Sequence, residues 1–277
     1  LFILFIQARA SSFMPAVTNY LAKDYEAGYQ NWACAQGSNG EMYFGNSQGL
    51  LVYDGYRWTL HKVPGNHIVR SVYVKEDRIY VGAFEEFGYF KYSEAGTLRY
   101  HSLSKFLKNF PMENNEIWNI VELDGRIYFQ SFSAWFSYDG KMVHAFRNRQ
   151  QQPLYFYTQN GHIYTQMIDE DFYEFDGKDF LHLFPRSQVN DDNVVALLPD
   201  GDDSFLMVTE NNGLFRYNGD ITPWKTDIDA ELKKQRVNRA DMTDDSIFRI
   251  GTVLNGIYAI DSKGHCHWHF NRDNRLE

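Results

Sequence analysis

The sequence predicts an all-β fold, a β-propeller of four-stranded antiparallel blades, with six blades evident and seven when complete. Three features predict it. One strand motif recurs along the chain, every recurrence sits in the same order of strands and turns, and aromatic residues reach 17%. Aromatic side chains favour strands because they suit a pleated, half-buried surface. The 277 residues are enough for one large domain with a real core.

The recurring strand reads EMYFGN at 41–46, DRIYVGA at 77–83, GRIYFQS at 125–131, GHIYTQM at 161–167, SFLMVTE at 204–210 and IFRIGTV at 247–253. Its equivalent positions are Gly45, Gly82, Gln130, Gln166, Val208 and Gly251, spaced by 37, 48, 36, 42 and 43 residues. That is the period of propeller blades. An apolar strand precedes each motif, for example NWACAQ, VRSVYV or VVALLP. A polar or Gly turn such as Ser38-Asn39-Gly40, Asp124-Gly125 or Asn160-Gly161 joins the two, as in hairpins. A third strand follows, as in GLLVYDG, AWFSYDG or GLFRYNG, and its Asp-Gly or Asn-Gly pair turns the chain into a last strand such as RWTLHK or KDFLHLF. Four short antiparallel strands make one blade.

Helix signals are confined to 104–110 and 229–235, each between the last strand of one unit and the first of the next; the former explains the 48-residue spacing. The units run from about 31 to 270. A propeller closes to protect its edges. A seventh blade is therefore expected, with its inner strands beyond Glu277 and its outer strand from residues 13–20; the alternative is a closed six-bladed ring in this chain alone. Residues 1–6 are purely apolar and are followed by Ala8-Arg9-Ala10. An apolar run ending in A-x-A has the form of a secretory signal tail, so residues 1–10 are expected to be its remnant, residues 11–277 the propeller, and the mature chain extracytoplasmic; the alternative is a buried N-terminal strand. No stretch is apolar enough for the roughly 20-residue span of a bilayer.

Net charge −9 argues against nucleic acid as the direct partner of this segment. Two cysteines exclude a disulfide scaffold and a four-Cys zinc site. Cys34 on an inner strand and Cys266 on an outer strand should not meet, so both are expected as free thiols, with Cys34 buried. Gly45-Asn46-Ser47-Gln48-Gly49 matches the G-x-S-x-G nucleophile elbow, but joins strand to strand rather than strand to helix. His265, His267 and His269 alternate on one strand face and could hold a metal; a solvated histidine face is the better reading. Asp200-Gly201-Asp202-Asp203 suits calcium less well than a hairpin turn. No cofactor or metal is expected.

The units resemble the two-component regulator propeller repeat: an aromatic strand, a Gly-Thr-like pair, then Gly-Leu-aromatic-x-Tyr/Phe-Asp. YFGNSQGLLVYDG at 43–55 and MVTENNGLFRYNG at 207–219 match best. NWACAQGSNGEMYFGN and VGAFEEFGYF look like the first blades of large sensor regulators of Bacteroidetes. Gln130 and Gln166 depart from the repeat by replacing its Gly. The resemblance implies an extracytoplasmic sensor propeller without chemistry of its own, an oligosaccharide ligand, and downstream domains on the same polypeptide. It also implies a transmembrane helix outside this sequence, a homodimer in the full-length protein, and a histidine kinase or helix-turn-helix output. The alternatives are a secreted propeller enzyme, a polysaccharide lyase or glycosidase, and a pure interaction platform.

In a four-stranded meander, alternate connections share a face. One rim therefore collects Asn31, Arg70, Trp118, Tyr155 and Asn238 from the starts of the inner strands. The loops between second and third strands add Glu85, Glu86, Phe132, Trp135, Asp169, Glu210 and Asn211. Aromatic faces with a few oriented polar groups suit a sugar-like ligand. Glu85-Glu86 and Asp169-Glu170-Asp171 could act as acid and base, but no spacing places two carboxylates at a working separation. Trp32, Trp118 and Phe132 have packing between blades as their competing role.

Overall fold

The computed structural model describes residues 15–148, 150–201, 204–242 and 246–276. Residues 1–14, with the signal remnant, and Asp202-Asp203 of the acidic turn lie outside the described residues. Blade 1 comprises β1 (Asn31–Gln36), β2 (Met42–Asn46), β3 (Gly49–Tyr53) and β4 (Trp58–His61). Blade 2 comprises β5 (Val69–Lys75), β6 (Arg78–Ala83), β7 (Phe87–Tyr92) and β8 (Leu98–Ser102). Blade 3 has β9 (Asn119–Leu123), β10 (Arg126–Gln130), β11 (Trp135–Tyr138) and β12 (Val143–Phe146). Blade 4 has β13 (Pro153–Gln159), β14 (His162–Met167), β15 (Phe172–Phe175) and β16 (Phe180–Phe184). Blade 5 has β17 (Val194–Pro199), β18 (Phe205–Thr209), β19 (Leu214–Tyr217) and β20 (Ile221–Trp224). Blade 6 has β21 (Val237–Met242), β22 (Phe248–Thr252), β23 (Ile257–Ile260) and β24 (Cys266–Phe270). Each is a four-stranded antiparallel meander, and the six form a β-propeller. The helix signals appear as a 3-10 turn, Ser104–Phe106, and a one-turn helix, Asp229–Leu232. A further 3-10 turn, Arg186–Val189, enters blade 5 without a signal in the sequence reading.

Strand alternation builds the cores, because successive side chains point to opposite faces. Along β6, Ile79 and Val81 face blade 1 and Tyr80 faces blade 3; along β10, Ile127 and Phe129 face blade 2 and Tyr128 faces blade 4. Five dry clusters result, one at each junction from blades 1–2 to blades 5–6. At the junction of blade 6 with blade 1 the described residues form no such cluster. The repeat position held by Tyr43, Tyr80, Tyr128 and Tyr164 is Arg249 in blade 6, ion-paired to Asp241 at 2.7 Å. The matching face of blade 1 is covered by the chain that precedes it. Tyr20 and Tyr25 lie 5.2 and 5.4 Å from the Trp58 ring, which also meets Phe44 and Tyr53. Asn19 donates to the Arg275 carbonyl at 2.9 Å, joining the segment before blade 1 to the segment after blade 6.

Residues 15–20 contain no strand. One expectation is corrected at this seam. Cys34 is exposed rather than buried, because its face of β1 looks into the seam instead of onto an apolar blade.

The Gln departures have a structural reason. Gly45 sits under the next blade: a Cβ there would stand 2.8 Å from the Val69 carbonyl oxygen. In blades 3 and 4 a glutamine bridges the same junction. Gln130 donates to the Pro153 and Leu154 carbonyls at 2.9 and 3.1 Å and accepts from the Phe156 N–H at 2.8 Å. Gln166 donates to the Asp192 carbonyl at 3.0 Å and accepts from the Val194 N–H at 2.9 Å.

The Asp-Gly turns repeat one geometry. Asp54 Oδ1 accepts the N–H groups of Tyr56 and Arg57 at 2.8 and 2.6 Å while Gly55 takes φ +95°, open to glycine. Asp139 and Asp176 do the same. The Arg57 and Tyr56 N–H groups hold the Asp54 carboxyl below its ordinary value; Met142 and Lys141 act likewise on Asp139, and Asp179 and Lys178 on Asp176. Depressed folded values mean stability that is present above the unfolded value of about 3.9 and is lost as pH falls through the folded ones. The thermal midpoint should therefore drop as pH falls from about 4. The triple variant Asp54→Asn, Asp139→Asn, Asp176→Asn keeps an acceptor, as Asn218 does naturally. It should show a shallower drop, read by calorimetry across that range; an unchanged slope would show that these turns do not set the acid response.

Candidate functional site at the channel mouth

The first strands of five blades carry the same irregularity. The register of the innermost hairpin shifts between Asn31 and Ala33, Val69 and Ser71, Pro153 and Phe156, Val194 and Ala196, and Val237 and Arg239. Each shift is a bulge that frees residues from the ladder and re-aims a side chain. The released residues include Trp32, Arg70, Tyr155, Val195 and Asn238, and blade 3 supplies Trp118 immediately before β9. All are at the end of the channel where the inner strands begin.

There they converge across blades that are not neighbours. The Arg70 guanidinium packs in the corner of two indoles that meet edge-on, 3.8 Å from the Trp32 ring centroid and 4.7 Å from that of Trp118. Trp118 stacks on Phe132 at 5.7 Å, Phe132 meets Tyr155 edge-on at 5.8 Å, and Arg239 from blade 6 lies 4.8 Å over Tyr155. Cations over aromatic faces are held by the ring quadrupole, most strongly by Trp and when desolvated. Glu116 fixes the Arg70 plane, accepting from Nε at 2.8 Å. It is placed by the long connection into blade 3, where Phe84 and Glu116 bridge and Ile117 N–H donates to the Ala83 carbonyl at 3.0 Å. Arg70 Nη1 is buried with no acceptor.

Arg70, Trp118, Phe132 and Tyr155 of the sequence-derived rim thus meet in one cluster, and Asn238 is exposed at its edge. Asn31 is engaged inside its own blade, its Oδ1 accepting from Asn46 at 2.8 Å, and Trp32 takes the mouth position instead. Trp135 is corrected: its ring is 4% exposed in the core between blades 3 and 4, against Phe146, Phe156, Phe175 and Phe180. It opens β11 inside the ladder, opposite Gln130, so alternation sends it between blades. Trp32, Glu116 and Arg239 were not among the predicted rim residues. A bulge just upstream of each Gly or Gln motif is the signal that would have found Trp32.

The rim carboxylates are engaged with the protein. Glu85 accepts the Asn114 N–H at 2.7 Å, and Glu86 accepts the Tyr100 and Ser102 hydroxyls at 2.8 and 2.9 Å. Burial, then the Glu86 carboxylate, pushes the Tyr100 phenol well up. Asp169 pairs with Arg186 at 3.5 Å; Arg186 also reaches Asn193, which donates to Glu210, itself paired with Arg236. Asn211 clasps the buried Asp192 carboxylate through its backbone N–H at 2.6 Å and its amide at 3.0 Å. Ser47 of the G-x-S-x-G stretch accepts from Trp32 Nε1 at 3.2 Å and lies between β2 and β3, strand to strand. His265 and His267 both turn to Asp261. Burial raises the Asp261 carboxyl, but the His265 N–H, the His267 ring and the Lys263 N–H outweigh it and hold it at about 2. Among the described residues no group of three or more His, Cys, Asp or Glu side chains could hold a metal.

Fold and site together define a β-propeller with an aromatic mouth carrying two guanidinium groups. No protein-family model matches the chain, and no curated protein matches it. Solved structures do. The extracellular domain of the putative hybrid two-component system BT4673 from B. thetaiotaomicron is similar with a TM-score of 0.64 and 17% identity, over 89% of this chain and 32% of that one. A second structure of that extracellular domain, there described as a putative one-component system, gives 0.66 and 17%, over 90% and 34%. Virginiamycin B lyase from Staphylococcus aureus gives 0.68 and 12%, over 89% and 85%. The chain spans about a third of the length of the BT4673 chains it matches. At these identities the likeness is one of fold, shared with an extracellular sensor-system domain and with a lyase alike. Among the described residues no helix is long and apolar enough to cross a membrane.

Proposed function

We propose that this propeller is the extracytoplasmic ligand-binding sensor of a membrane-bound signal-transduction and transcription regulator, responding to a carbohydrate and not itself catalytic. The observation that carries the reading is the mouth, where Trp118, Phe132 and Tyr155 form a continuous aromatic line beside a fixed guanidinium. Aromatic faces with a few oriented polar groups are the means by which proteins hold sugar rings. Engagement of Glu85, Glu86 and Glu210 with donors of the protein supports the non-catalytic half. Ligand occupancy would shift an arrangement passed to downstream domains of a dimeric receptor, which requires only differential affinity between two states. Titration calorimetry against an oligosaccharide panel tests it. Trp118→Ala should weaken the best ligand at least tenfold, about 1.4 kcal/mol, with no turnover of any glycan. Affinity indifferent to Trp118, or turnover abolished by changing Glu85 or Asp169, would overturn the reading.

A further inference from the structure

We propose that the mouth selects acidic saccharides, with the anionic groups of one ligand meeting Arg70 and Arg239 at the two ends of the aromatic line. The inference rests on the reading of the mouth as the ligand site and adds the ligand's charge. The two arginines are separated by Trp118, Phe132 and Tyr155 in succession. The Arg70 guanidinium sits in the corner made by the Trp32 and Trp118 indoles, which meet edge-on, and its Nε is taken by Glu116, so its Nη edge is left for a ligand. Nη1 on that edge is buried without an acceptor. A buried charged donor is normally paired, and a planar guanidinium edge is shaped to take two oxygens of one oxyanion. Arg239 is exposed, and among the described residues it makes no ion pair. Glu116 engages only Arg70 Nε, and Glu85, Glu86 and Glu210 are bound to other donors. Trp32, 36% exposed, is the outer cover of Arg70 and the side chain a ligand would move to reach its edge. A neutral sugar would satisfy the rings but leave Arg239 without counter-charge and Arg70 Nη1 without an acceptor. Carboxylate and sulfate share the required chemistry.

The test uses matched pairs: oligogalacturonate with its carboxyl-reduced form, and an oversulfated neutral oligosaccharide with its desulfated form. The acidic member of at least one pair should bind at least tenfold tighter at low salt, and the advantage should shrink as salt rises; which pair responds separates carboxylate from sulfate. Arg239→Met, at an exposed position, and Arg70→Met should each remove most of the preference, with folding checked by circular dichroism. Neutral members binding as tightly as acidic ones, with Trp118→Ala weakening both, would overturn the acidic selectivity and leave the mouth as the site. No binding by any member, or binding indifferent to Trp118, would overturn both.

Discussion

Gln166→Leu is expected to lower the unfolding free energy by about 3 kcal/mol, among the largest effects open to a single polar side chain here. The residue is 1% exposed, and its amide is the only side chain reaching the start of blade 5 from β14 with both a donor and an acceptor bond. Leucine fills nearly the same volume, so packing changes little. What changes is that the Val194 N–H loses its partner and the Asp192 carbonyl keeps only the longer 3.4 Å bond from Arg186 Nε; an unpaired buried group costs about 1–3 kcal/mol. Gln166→Glu keeps the acceptor and loses the donor to the Asp192 carbonyl, placing a carboxylate against a carbonyl oxygen, and should be no milder at neutral pH. Urea denaturation of the purified chain gives the number. A loss under about 1 kcal/mol would mean that water replaces the amide and that the junction is wetter than its burial indicates.

Gly82→Ala and Gly251→Ala occupy equivalent repeat positions and should behave oppositely. A Cβ on Gly82 would stand 2.4 Å from both Ile117 Cγ2 and Ser71 Oγ, inside the dry contact of blades 2 and 3. Ser71 is held there by its bond to the Ile117 carbonyl at 2.9 Å, and Ile117 is fully buried, so neither can retreat cheaply. Overpacking of this kind costs about 1–3 kcal/mol. A Cβ on Gly251 meets only the Arg239 carbonyl of its own blade, at 3.5 Å, an ordinary contact. That substitution should stay within about 0.5 kcal/mol. The pair of denaturation curves therefore reports whether a neighbouring blade sits on the motif. A large loss at Gly251 would show that the seam is filled in solution.

The repeat and the blade grammar were legible because side-chain alternation and turn chemistry are local. Tyr43, Tyr80 and Tyr128 announce a face that must be covered, and Asp54-Gly55 announces its turn. The seam was less legible, since Arg249 in the tyrosine position and the Tyr20–Trp58 cover act between segments far apart in sequence. Gln130 and Gln166 looked like departures from the repeat because the carbonyls and N–H groups they serve belong to the next blade. At the mouth, Arg70, Trp118, Phe132 and Tyr155 were readable from their position at the start of a strand or loop. Trp135 misled because its loop-end position hides a ladder residue. Glu116 and Arg239 had no local sign at all; the bridge of the blade 3 connection to Phe84 places the former, and the approach of blade 6 to blade 4 across the channel places the latter.

The repeated bulge separates two demands that most folds force onto the same residues. A ladder residue of an inner strand must fit one neighbouring blade or the other, so changing it disturbs a core. A bulge residue is released from the ladder, and Trp32, Arg70, Tyr155, Val195 and Asn238 range from aromatic to cationic, aliphatic and amide although they occupy corresponding places; of these only Val195 packs against a junction core. The scaffold thus offers a set of sockets around one opening that are set apart from the ladders, where recognition can be rewritten with less exchange of stability for function, although sockets in contact, such as those of Trp32 and Arg70, change together.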